Sequence, residues 1–437
     1  MVNIRPFKAY HYDQAKVDIS KVIFPPYELR NREFMDTFLK ISDHNVIRIM
    51  LGDERLENSE RYQYSAELLN AWIKDGHLKK YAKPCIYVYS QEFEADGRKM
   101  ERTGFISLVE LEELGKNIAP HEFTLHDQII NMKKLLEETR TNLGLVFSIY
   151  SDSGKKIESM LEKIKLLKPD IDTFTDYEGV RHRVWAVSDQ KVIGAITKEM
   201  KNKKLLIADG HHRYKISYEY SREHPDDDMA KHLSMMMVNM ENKGIAILPT
   251  HRLVGGIKNF DSEKFLSRLK DNFEIEIFEF EAAKKEEGLM KMLKKISSRD
   301  WRSFGMYLGG RKYYILTLKN EKAMDEAKDH SKPWKRFGIN VLHTLIIKDM
   351  LGIDTLKNNR QCNVEYVKDI HDFASECVRK VEEGEFQAAF FTRSTNINEI
   401  KAIAESGEMM PQKSTCFYPK VYSGLIIYKF ENGEKNF

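Results

Sequence analysis

One stretch of ten residues, Leu205–Tyr214, joins an apolar segment to residues that can carry charge and move protons. It reads Leu-Leu-Ile-Ala-Asp-Gly-His-His-Arg-Tyr. The apolar run Leu205–Ala208 predicts a short buried strand, and His211–Glu223 predicts a helix. Asp209 and Gly210 form the turn between them. A carboxylate, two imidazoles and a guanidinium are therefore expected at the N-terminal end of one helix.

The first turn of this helix carries an unusual amount of positive charge. His211, His212 and Arg213 stand where a helix is already partly positive and prefers anions. Each such cation is expected to cost a few tenths to about 1 kcal/mol. A broken local rule often marks a functional site, and a bound anion would remove the conflict. The structural alternative is that Asp209 only caps the helix, Gly210 only turns the chain, and the histidines are buried and satisfied.

Two loops in the first third of the chain also place carboxylates next to other polar groups. Pro25-Pro26-Tyr27-Glu28 is a stiff loop that can hold Glu28 in a fixed position, or it is a plain connector with a solvated glutamate. His121-Glu122-Phe123-Thr124 precedes a predicted helix from about Asp127 to Thr139. This second motif lacks the second histidine of the HExxH zinc motif, which excludes that class of metalloprotease.

Two strands carry further cations. Val180–Val187 predicts a strand in which alternation places Arg181 and Arg183 on one face and His182 on the other. Such charges are usually solvated. Ile245–Leu248 predicts a strand that leads into Pro249 and then Thr250-His251-Arg252, interpreted as a strand end that presents a hydroxyl, an imidazole and a guanidinium. Sites in α/β sheets tend to form at strand ends.

Near the C-terminal end, Lys413, Ser414 and Thr415 stand together, and Lys420 follows. Lys-Ser-Thr is similar to the end of a phosphate-binding P-loop, but the upstream glycines of that motif are missing. A nucleotide cradle of this type is therefore excluded. A lysine beside two hydroxyls still suits a phosphate group.

These motifs together resemble a known family. Asp-Gly-His-His-Arg-Tyr is similar to the signature loop of the ParB/sulfiredoxin-like superfamily, which includes free-serine kinases. Five further matches narrow the resemblance to a family formerly catalogued as a domain of unknown function and associated with pyrophosphate-dependent L-serine kinases. They are Asn3–Phe7, Pro25–Glu28, His121–Thr124, Leu248–Arg252 and the pair Met410–Thr415 and Phe417–Lys420.

The resemblance implies a kinase that phosphorylates free L-serine, with pyrophosphate as the donor and Mg²⁺ as the cofactor. Phosphoryl transfer needs a carboxylate to orient or deprotonate the hydroxyl and positive charge around the transferred group. We expect three groups of site residues. The catalytic residues are Asp209, Glu28 and His212; the phosphate-binding residues are His211, Arg213, Thr250, His251, Arg252, Lys413, Ser414, Thr415 and Lys420; the substrate-binding residues are Tyr27, His121, Glu122, Thr124, Arg181 and His182.

Composition limits the possible partners. The 437 residues carry 70 basic and 67 acidic side chains, a net charge of +3 that gives no global attraction to nucleic acid or membrane. The four cysteines lack CxxC spacing, so neither a zinc site nor a disulfide framework is indicated and a reducing cytoplasm is the simplest location. We expect small-molecule partners, L-serine and pyrophosphate, and neither nucleic acid nor membrane. The sequence leaves the metal ligands and oligomeric state open.

The pattern of elements predicts a mixed α/β (α+β) fold with a ParB/sulfiredoxin-like core. We expect residues 1–259 to form an α/β region that carries the Asp-Gly-His-His-Arg site. Residues 260–325 are expected to form an added α+β subdomain of two helices and three strands. Residues 326–437, with a predicted helix at Asn340–Leu351, are expected to return the Lys-Ser-Thr loop to the site.

Three other functions compete with the pyrophosphate-dependent kinase. A serine kinase that uses ADP or ATP differs only in the donor. A ParB-like, nucleotide-hydrolysing DNA-binding protein is disfavoured by the near-neutral charge and the lack of an obvious helix-turn-helix. A non-catalytic small-molecule binding protein could use the same anion pocket.

Overall fold

The computed structural model of the chain describes residues 1–26, 32–95, 97–122, 127–355, 363–369 and 373–431. The chain divides into two compact units. Unit 1 comprises Met1–Pro120, Thr124–Ala246 and Pro419–Phe437, and unit 2 comprises His121–Phe123 and Ile247–Tyr418. Contact density defines compact units rather than independently folding domains, so the division into 1–259, 260–325 and 326–437 stays a prediction.

Unit 1 is built around one mixed sheet. Among the described residues, its strands are β1 (Ile4–Arg5), β2 (Tyr10–Tyr12), β3 (Leu78–Lys80), β4 (Ile86–Ala95), β5 (Arg98–Glu110), β6 (Ile118–Ala119), β7 (Thr141–Asn142), β8 (Val146–Tyr150), β9 (Ile171–Thr175), β10 (Val180–Val187), β11 (Leu205–Asp209), β12 (His232–Asn239) and, near the end of the chain, β21 (Tyr428–Lys429). The main sheet has the order β6-β11-β8-β12-β5-β4-β10-β9, with β1 paired to β5. Parallel pairs (β6 with β11, β8 with β12) are mixed with antiparallel pairs.

Helices cover the sheet of unit 1. They are α1 (Ile19–Val22), α2 (Arg32–Ile41), α3 (Ile47–Leu51), α4 (Asn58–Lys74), α5 (Asp127–Thr139), α6 (Lys156–Lys165), α7 (Gln190–Met200) and α8 (His211–Glu223). The apolar faces of α6 and α7 lie in the same buried cluster as inward side chains of β4, β5, β8, β11 and β12. Burial of this apolar surface is the main force that fixes the sheet under α8.

Unit 2 contains the second sheet. Its strands are β14 (Thr250–Val254), β15 (Phe273–Glu279), β16 (Ser303–Tyr307), β17 (Lys312–Leu318), β18 (Val364–Lys368), β19 (Ala388–Phe391) and β20 (Cys416–Tyr418), and β13 (Ala246–Leu248) begins at its boundary. The main sheet has the order β15-β17-β16-β19-β14-β18. The helices are α9 (Ser262–Asn272), α10 (Lys285–Ser297), α11 (Lys332–Lys335), α12 (Gly338–Val341), α13 (Phe373–Glu382) and α14 (Ile397–Glu405), with 3₁₀ turns at Ala282–Lys284 and Glu321–Met324 and a π-helix at Leu342–Lys348. Apolar side chains of α10 and α13 pack on one face of this sheet.

The mixed α/β fold class is confirmed. The two helices and three strands expected within 260–325 are present as α9, β15, α10, β16 and β17. The interpretation of Thr250–Arg252 as a strand end is wrong, because these residues begin β14 and are paired with β18. The helix predicted at Asn340–Leu351 is present but ends earlier, since Asn340 and Val341 belong to α12 and Leu342–Lys348 form a π-helix.

Within the parts of the chain that the structure describes, no helix is both long and apolar enough to span a bilayer.

We predict that Gly104→Ala destabilises unit 1. Gly104 lies in β5, and a Cβ there would come within 2.5 Å of the Met237 carbonyl oxygen and 2.6 Å of Val238 Cγ2. The backbone of β12 cannot yield without breaking its ladder, so we expect the free energy of unfolding to fall by about 1–3 kcal/mol. Denaturant titration of both proteins measures this difference.

Gly194→Ala is the matched control. Gly194 lies in α7, and no described heavy atom falls within 4 Å of a Cβ placed there. Alanine in a helix interior is favoured over glycine by about 0.5–1 kcal/mol, so this variant should be as stable as the native protein or slightly more so. Equal stability of the Gly104→Ala protein and the native protein would contradict the close approach of β5 and β12.

Candidate functional site

Asp209 stands at the last position of β11, where the strand pairing is irregular. β11 pairs antiparallel with β8, and the register shifts between Ile207 and Asp209, so that Asp209 lies opposite Phe147. Such a bulge changes the direction of the side chains that follow it, and bulges are common beside active sites. The strand is buried up to Ala208, whereas the Asp209 side chain is partly exposed.

The turn after Asp209 depends on a glycine. Gly210 is the N-cap of α8 and has a φ of 95°, a left-handed conformation that glycine adopts without strain. A Cβ at Gly210 would lie 3.0 Å from Arg213 Nε, so the guanidinium packs directly on this turn. Gly144 allows the same approach from another side, since a Cβ there would lie 2.9 Å from Arg213 Nη1. Arg213 is thus held against the N-terminal end of its own helix.

Lys420 brings a second cation to Asp209 from the far end of the sequence. Its Nζ donates to Asp209 Oδ2 at 2.7 Å, although the two residues are 211 positions apart. Arg213 Nη2 lies 3.9 Å from Asp209 Oδ1, so both carboxylate oxygens face a cation. The Lys420 side chain is only 8% exposed, which strengthens its interaction with the carboxylate relative to a pair in water. Burial lowers the pKa of Arg213, and Asp209 opposes that change.

The structure therefore brings four predicted residues, Asp209, His211, Arg213 and Lys420, to one end of α8. Backbone N–H groups in the first turn of a helix point toward its N-terminal end, so they add positive potential at this place. His211 is buried and His212 is partly buried. The arrangement joins one carboxylate to two long cations and a helix N-terminus, which is suited to an anionic ligand that reacts with a hydroxyl.

Two residues that the sequence patterns did not single out hold the backbone at Lys420. Gln91 in β4 and Arg102 in β5 are fully buried and contact the carbonyls of Pro419 and Lys420. The sequence did contain one indication of Arg102: in an extended strand, its side chain lies on the same face as Gly104 and Ile106.

Arg181 and His182 lie elsewhere in unit 1. The alternation predicted for β10 is confirmed, since Arg181 is exposed and His182 is buried. Arg181 binds both oxygens of Asp172 at 2.8 Å. His182 lies between the Tyr89 hydroxyl at 2.7 Å and the Thr175 hydroxyl at 3.2 Å. Burial, and next the Arg102 guanidinium, lower the pKa of His182 to about 3. The substrate-binding roles of these two residues stay predictions.

Unit 2 buries a predicted phosphate-binding residue, Arg252, in β14, between β18 and β19. Its guanidinium donates to the carbonyl of Thr250, to the carbonyl of Lys413 at 3.2 Å and to His343 Nε2 at 3.3 Å. The ring of Tyr366 stacks 5.5 Å away. Burial lowers the pKa of Arg252 to about 10. No described carboxylate forms a salt bridge with this arginine, so backbone and imidazole acceptors compensate its charge.

The two other residues of the predicted Thr-His-Arg motif are also buried in β14. Alternation places His251 on the opposite face from Thr250 and Arg252. His251 Nε2 lies 3.4 Å from Asp369 Oδ2, and the Thr250 carbonyl accepts from the Thr392 hydroxyl at 2.9 Å.

The Lys-Ser-Thr loop in unit 2 meets the His121-Glu122 pair. The backbone N–H and the hydroxyl of Thr415 both donate to Glu122 Oε1, at 3.0 and 2.9 Å. His121 Nε2 lies 2.8 Å from the same hydroxyl. The Ser414 hydroxyl donates to the Pro411 carbonyl at 2.6 Å, and Lys413 has a left-handed φ of 56°. A phosphate that used the Thr415 donors would have to replace the Glu122 carboxylate. Tyr27, Glu28 and Thr124 lie outside the described residues.

Comparisons with known proteins place the chain in a family. Residues 4–339 match the model of a family described as "Protein of unknown function (DUF1015)". No curated protein matches the sequence.

Several solved structures resemble this chain at low sequence identity. A conserved hypothetical protein from Pyrococcus furiosus is 15% identical, with 72% of this chain and 92% of that chain covered and a TM-score of 0.32. A free serine kinase in complex with AMP is 13% identical, with 71% and 86% covered and a TM-score of 0.31. SbnI with a C-terminal truncation, from Staphylococcus aureus, is 11% identical, with 74% and 86% covered and a TM-score of 0.36. At these values, the assignment of a function depends on the residues of this chain.

We predict that His182 makes unit 1 sensitive to acid. Its folded pKa of about 3 lies below the usual histidine value, so the unfolded chain binds more protons between these two values. This histidine therefore leaves the free energy of unfolding at its full value above pH ~6.5. Below that pH it lowers the free energy of unfolding by up to roughly 1.4 kcal/mol per pH unit. Denaturant titrations of the native and His182→Asn proteins between about pH 6.5 and 5, above most carboxylate titration, measure the two slopes.

The expected result is a steeper loss of stability with acid in the native protein than in His182→Asn. His224→Gln, at an exposed position, is the matched control for the loss of a histidine. Identical slopes in all three proteins would show that His182 takes up a proton in the folded state without cost.

Proposed function

The chain belongs to the DUF1015 family, and we propose that it is a kinase that transfers a phosphoryl group from pyrophosphate to the hydroxyl of free L-serine. The products are O-phospho-L-serine and phosphate. The observation that carries this proposal is the contact of 2.7 Å between Lys420 Nζ and Asp209 Oδ2 at the N-terminal end of α8. The motifs that resemble those of serine kinases, among them Asp209–Arg213, support it.

Asp209 is proposed to receive the proton of the substrate. In the reaction, the serine oxygen bonds to the phosphorus, the bond from that phosphorus to the leaving phosphate breaks, and the hydroxyl proton passes to the carboxylate. A base must lie within hydrogen-bond reach of the hydroxyl, and a partly exposed carboxylate at a strand end can do so. Glu28 stays the alternative base, and His212 stays a predicted catalytic residue.

Lys420 and Arg213 are proposed to bind the phosphoryl oxygens. Phosphoryl transfer is catalysed mainly by positioning and by positive charge around the transferred group. A guanidinium binds two oxygens at once, whereas an ammonium acts as a point charge. The N-terminal end of α8 adds its backbone dipoles. The remaining predicted residues of unit 2, including Arg252 and Lys413, stay candidates for phosphate binding.

Mg²⁺ is the proposed cofactor. Within the described residues, no group of three or more His, Cys, Asp or Glu side chains is placed to hold a metal ion. Mg²⁺ in phosphoryl-transfer sites is usually held by one or two carboxylates together with phosphate oxygens and water, so a complete protein cage is not required. The protein ligand of the ion stays open, because both oxygens of Asp209 already face Lys420 and Arg213. When bound, the ion neutralises phosphate charge.

A panel of donors tests the proposed activity. The protein is incubated with L-serine, Mg²⁺ and one of pyrophosphate, ADP, ATP or CTP, and O-phosphoserine is measured by mass spectrometry. We expect product with pyrophosphate, because the sequence has neither a Walker loop nor a kinase glycine-rich loop to hold a nucleotide. Product with ATP or ADP alone would correct the donor and keep the kinase. The absence of product with every donor would overturn the kinase in favour of a binding protein.

We predict that Asp209→Asn abolishes most of the activity. Asparagine keeps the shape of the side chain and can accept a hydrogen bond from Lys420, and the N-cap of α8 is Gly210 rather than Asp209. If Asp209 deprotonates the serine hydroxyl, kcat should fall by about 10²–10⁴-fold, the usual contribution of a general base. Steady-state kinetics and the melting temperature are measured together.

Asp13→Asn is the control for this substitution. Asp13 also pairs with a lysine in unit 1, since Lys79 Nζ lies 2.6 Å from Asp13 Oδ2. It follows β2, outside the main sheet that carries Asp209, so kcat should be close to native. Near-native turnover of Asp209→Asn would leave Asp209 with a structural role and make Glu28 the leading base.

A further inference from the structure

Arg102 and Gln91 are buried polar residues that the proposed reaction does not use directly. We propose that Arg102, supported by Gln91, is a positioning residue that fixes the backbone of Pro419 and Lys420 and thereby places the Lys420 ammonium on Asp209. The kinetic consequence of this inference rests on the proposed function. Its structural consequence, the placement of Lys420, does not.

The two side chains donate hydrogen bonds to two consecutive backbone carbonyls. Gln91 and Arg102 are direct partners in the antiparallel register of β4 and β5. Arg102 donates to the Gln91 side-chain oxygen and to the Pro419 carbonyl. Gln91 Nε2 in turn donates to the Lys420 carbonyl at 2.8 Å. The backbone on both sides of the Pro419–Lys420 peptide bond is thus attached to the centre of the main sheet.

Arg102 also contacts a residue that lies opposite Asp209, the acidic partner of Lys420. Its guanidinium carbon lies 4.6 Å from the ring centre of Phe147 in β8. Phe147 is the residue opposite Asp209 in the β8–β11 register. Asp209 and Lys420 are therefore both located with respect to Arg102, the first through a strand partner and the second through backbone hydrogen bonds.

The choice of residue type supports a positioning role over a packing role. A fully buried guanidinium carries a large desolvation cost, and an apolar side chain would fill the same space without it. Arg102 donates from Nη2 both to the Gln91 side chain and to the Pro419 carbonyl, while its planar guanidinium lies over the ring of Phe147. An apolar side chain of the same size would make neither hydrogen bond, and lysine lacks the planar group that stacks on an aromatic ring.

The primary test measures the placement of Lys420 without an activity assay. Native, Arg102→Met, Gln91→Met and Arg183→Met proteins are treated with acetic anhydride, and the acetylation rate of Lys420 is followed by mass spectrometry. Lys420 is shielded and ion-paired in the native protein, so its acetylation should be slow. We expect it to become several-fold faster in Arg102→Met and Gln91→Met. Arg183→Met is the control, because Arg183 also lies in this sheet but contacts Glu92 and Glu101.

Kinetics provide the second readout. Misplacement of a reacting group by about 1 Å can cost about a hundredfold in rate, so we expect kcat for serine phosphorylation to fall roughly ten- to hundredfold in Arg102→Met with little change in the KM for L-serine. Arg102→Lys keeps the positive charge and a hydrogen-bond donor group. This variant should therefore restore part of kcat and part of the protection of Lys420 from acetylation. A purely structural role would lower the melting temperature without accelerating acetylation of Lys420.

The outcomes separate this inference from the proposed function. A folded Arg102→Met protein with native acetylation of Lys420 overturns the positioning role, whatever its activity. Faster acetylation in a protein that never phosphorylates serine keeps the positioning role and rejects the kinase. If Arg102→Met does not fold, Gln91→Met decides the question by the same measurement. Unfolding by both substitutions would overturn the inference and assign the pair to the core.

Discussion

The arrangement at the end of α8 depends on a charge balance that the sequence creates over a long distance. Asp209, at a strand end, faces Arg213 from its own helix and Lys420 from a segment 211 positions later. Without the carboxylate, two cations with little exposure would lie at the positive end of a helix. Without the cations, the carboxylate would lose the partners that stabilise its charge. Each component is therefore costly alone and stable in combination.

Local patterns predicted the elements that carry this site. The bounds expected for the helix His211–Glu223 and the strand Val180–Val187 agree with the structure, because amphipathic spacing, turn residues and strand alternation are all properties of short segments. The spacing of residues in the sequence could not predict the contact between Lys420 and Asp209. That ion pair results from contacts of the backbone at Pro419 and Lys420 with Gln91 in β4 and Arg102 in β5, which are more than 300 positions away in sequence.

The errors in unit 2 have specific physical causes. Pro249 cannot donate a backbone hydrogen bond and does interrupt the chain, but a second strand with different partners begins directly after it. The apolar spacing of Asn340–Leu351 indicated a helix, yet spacing cannot reveal the extra residue per turn that makes Leu342–Lys348 a π-helix. That π-helix places His343 beside Arg252, and its other buried residues are apolar.

The order of segments in unit 1 has a consequence for synthesis of the protein. The main sheet of unit 1 is complete in sequence once Asn239 has been made, whereas Lys420 follows only after the whole of Ile247–Tyr418. N-terminal parts of a chain generally fold first during synthesis, so the sheet with Asp209 and Arg102 can form while its lysine is still absent. The ribosome thus adds Lys420 only after unit 2, and a nascent chain arrested within unit 2 would contain every strand of the main sheet but lack the lysine that pairs with Asp209.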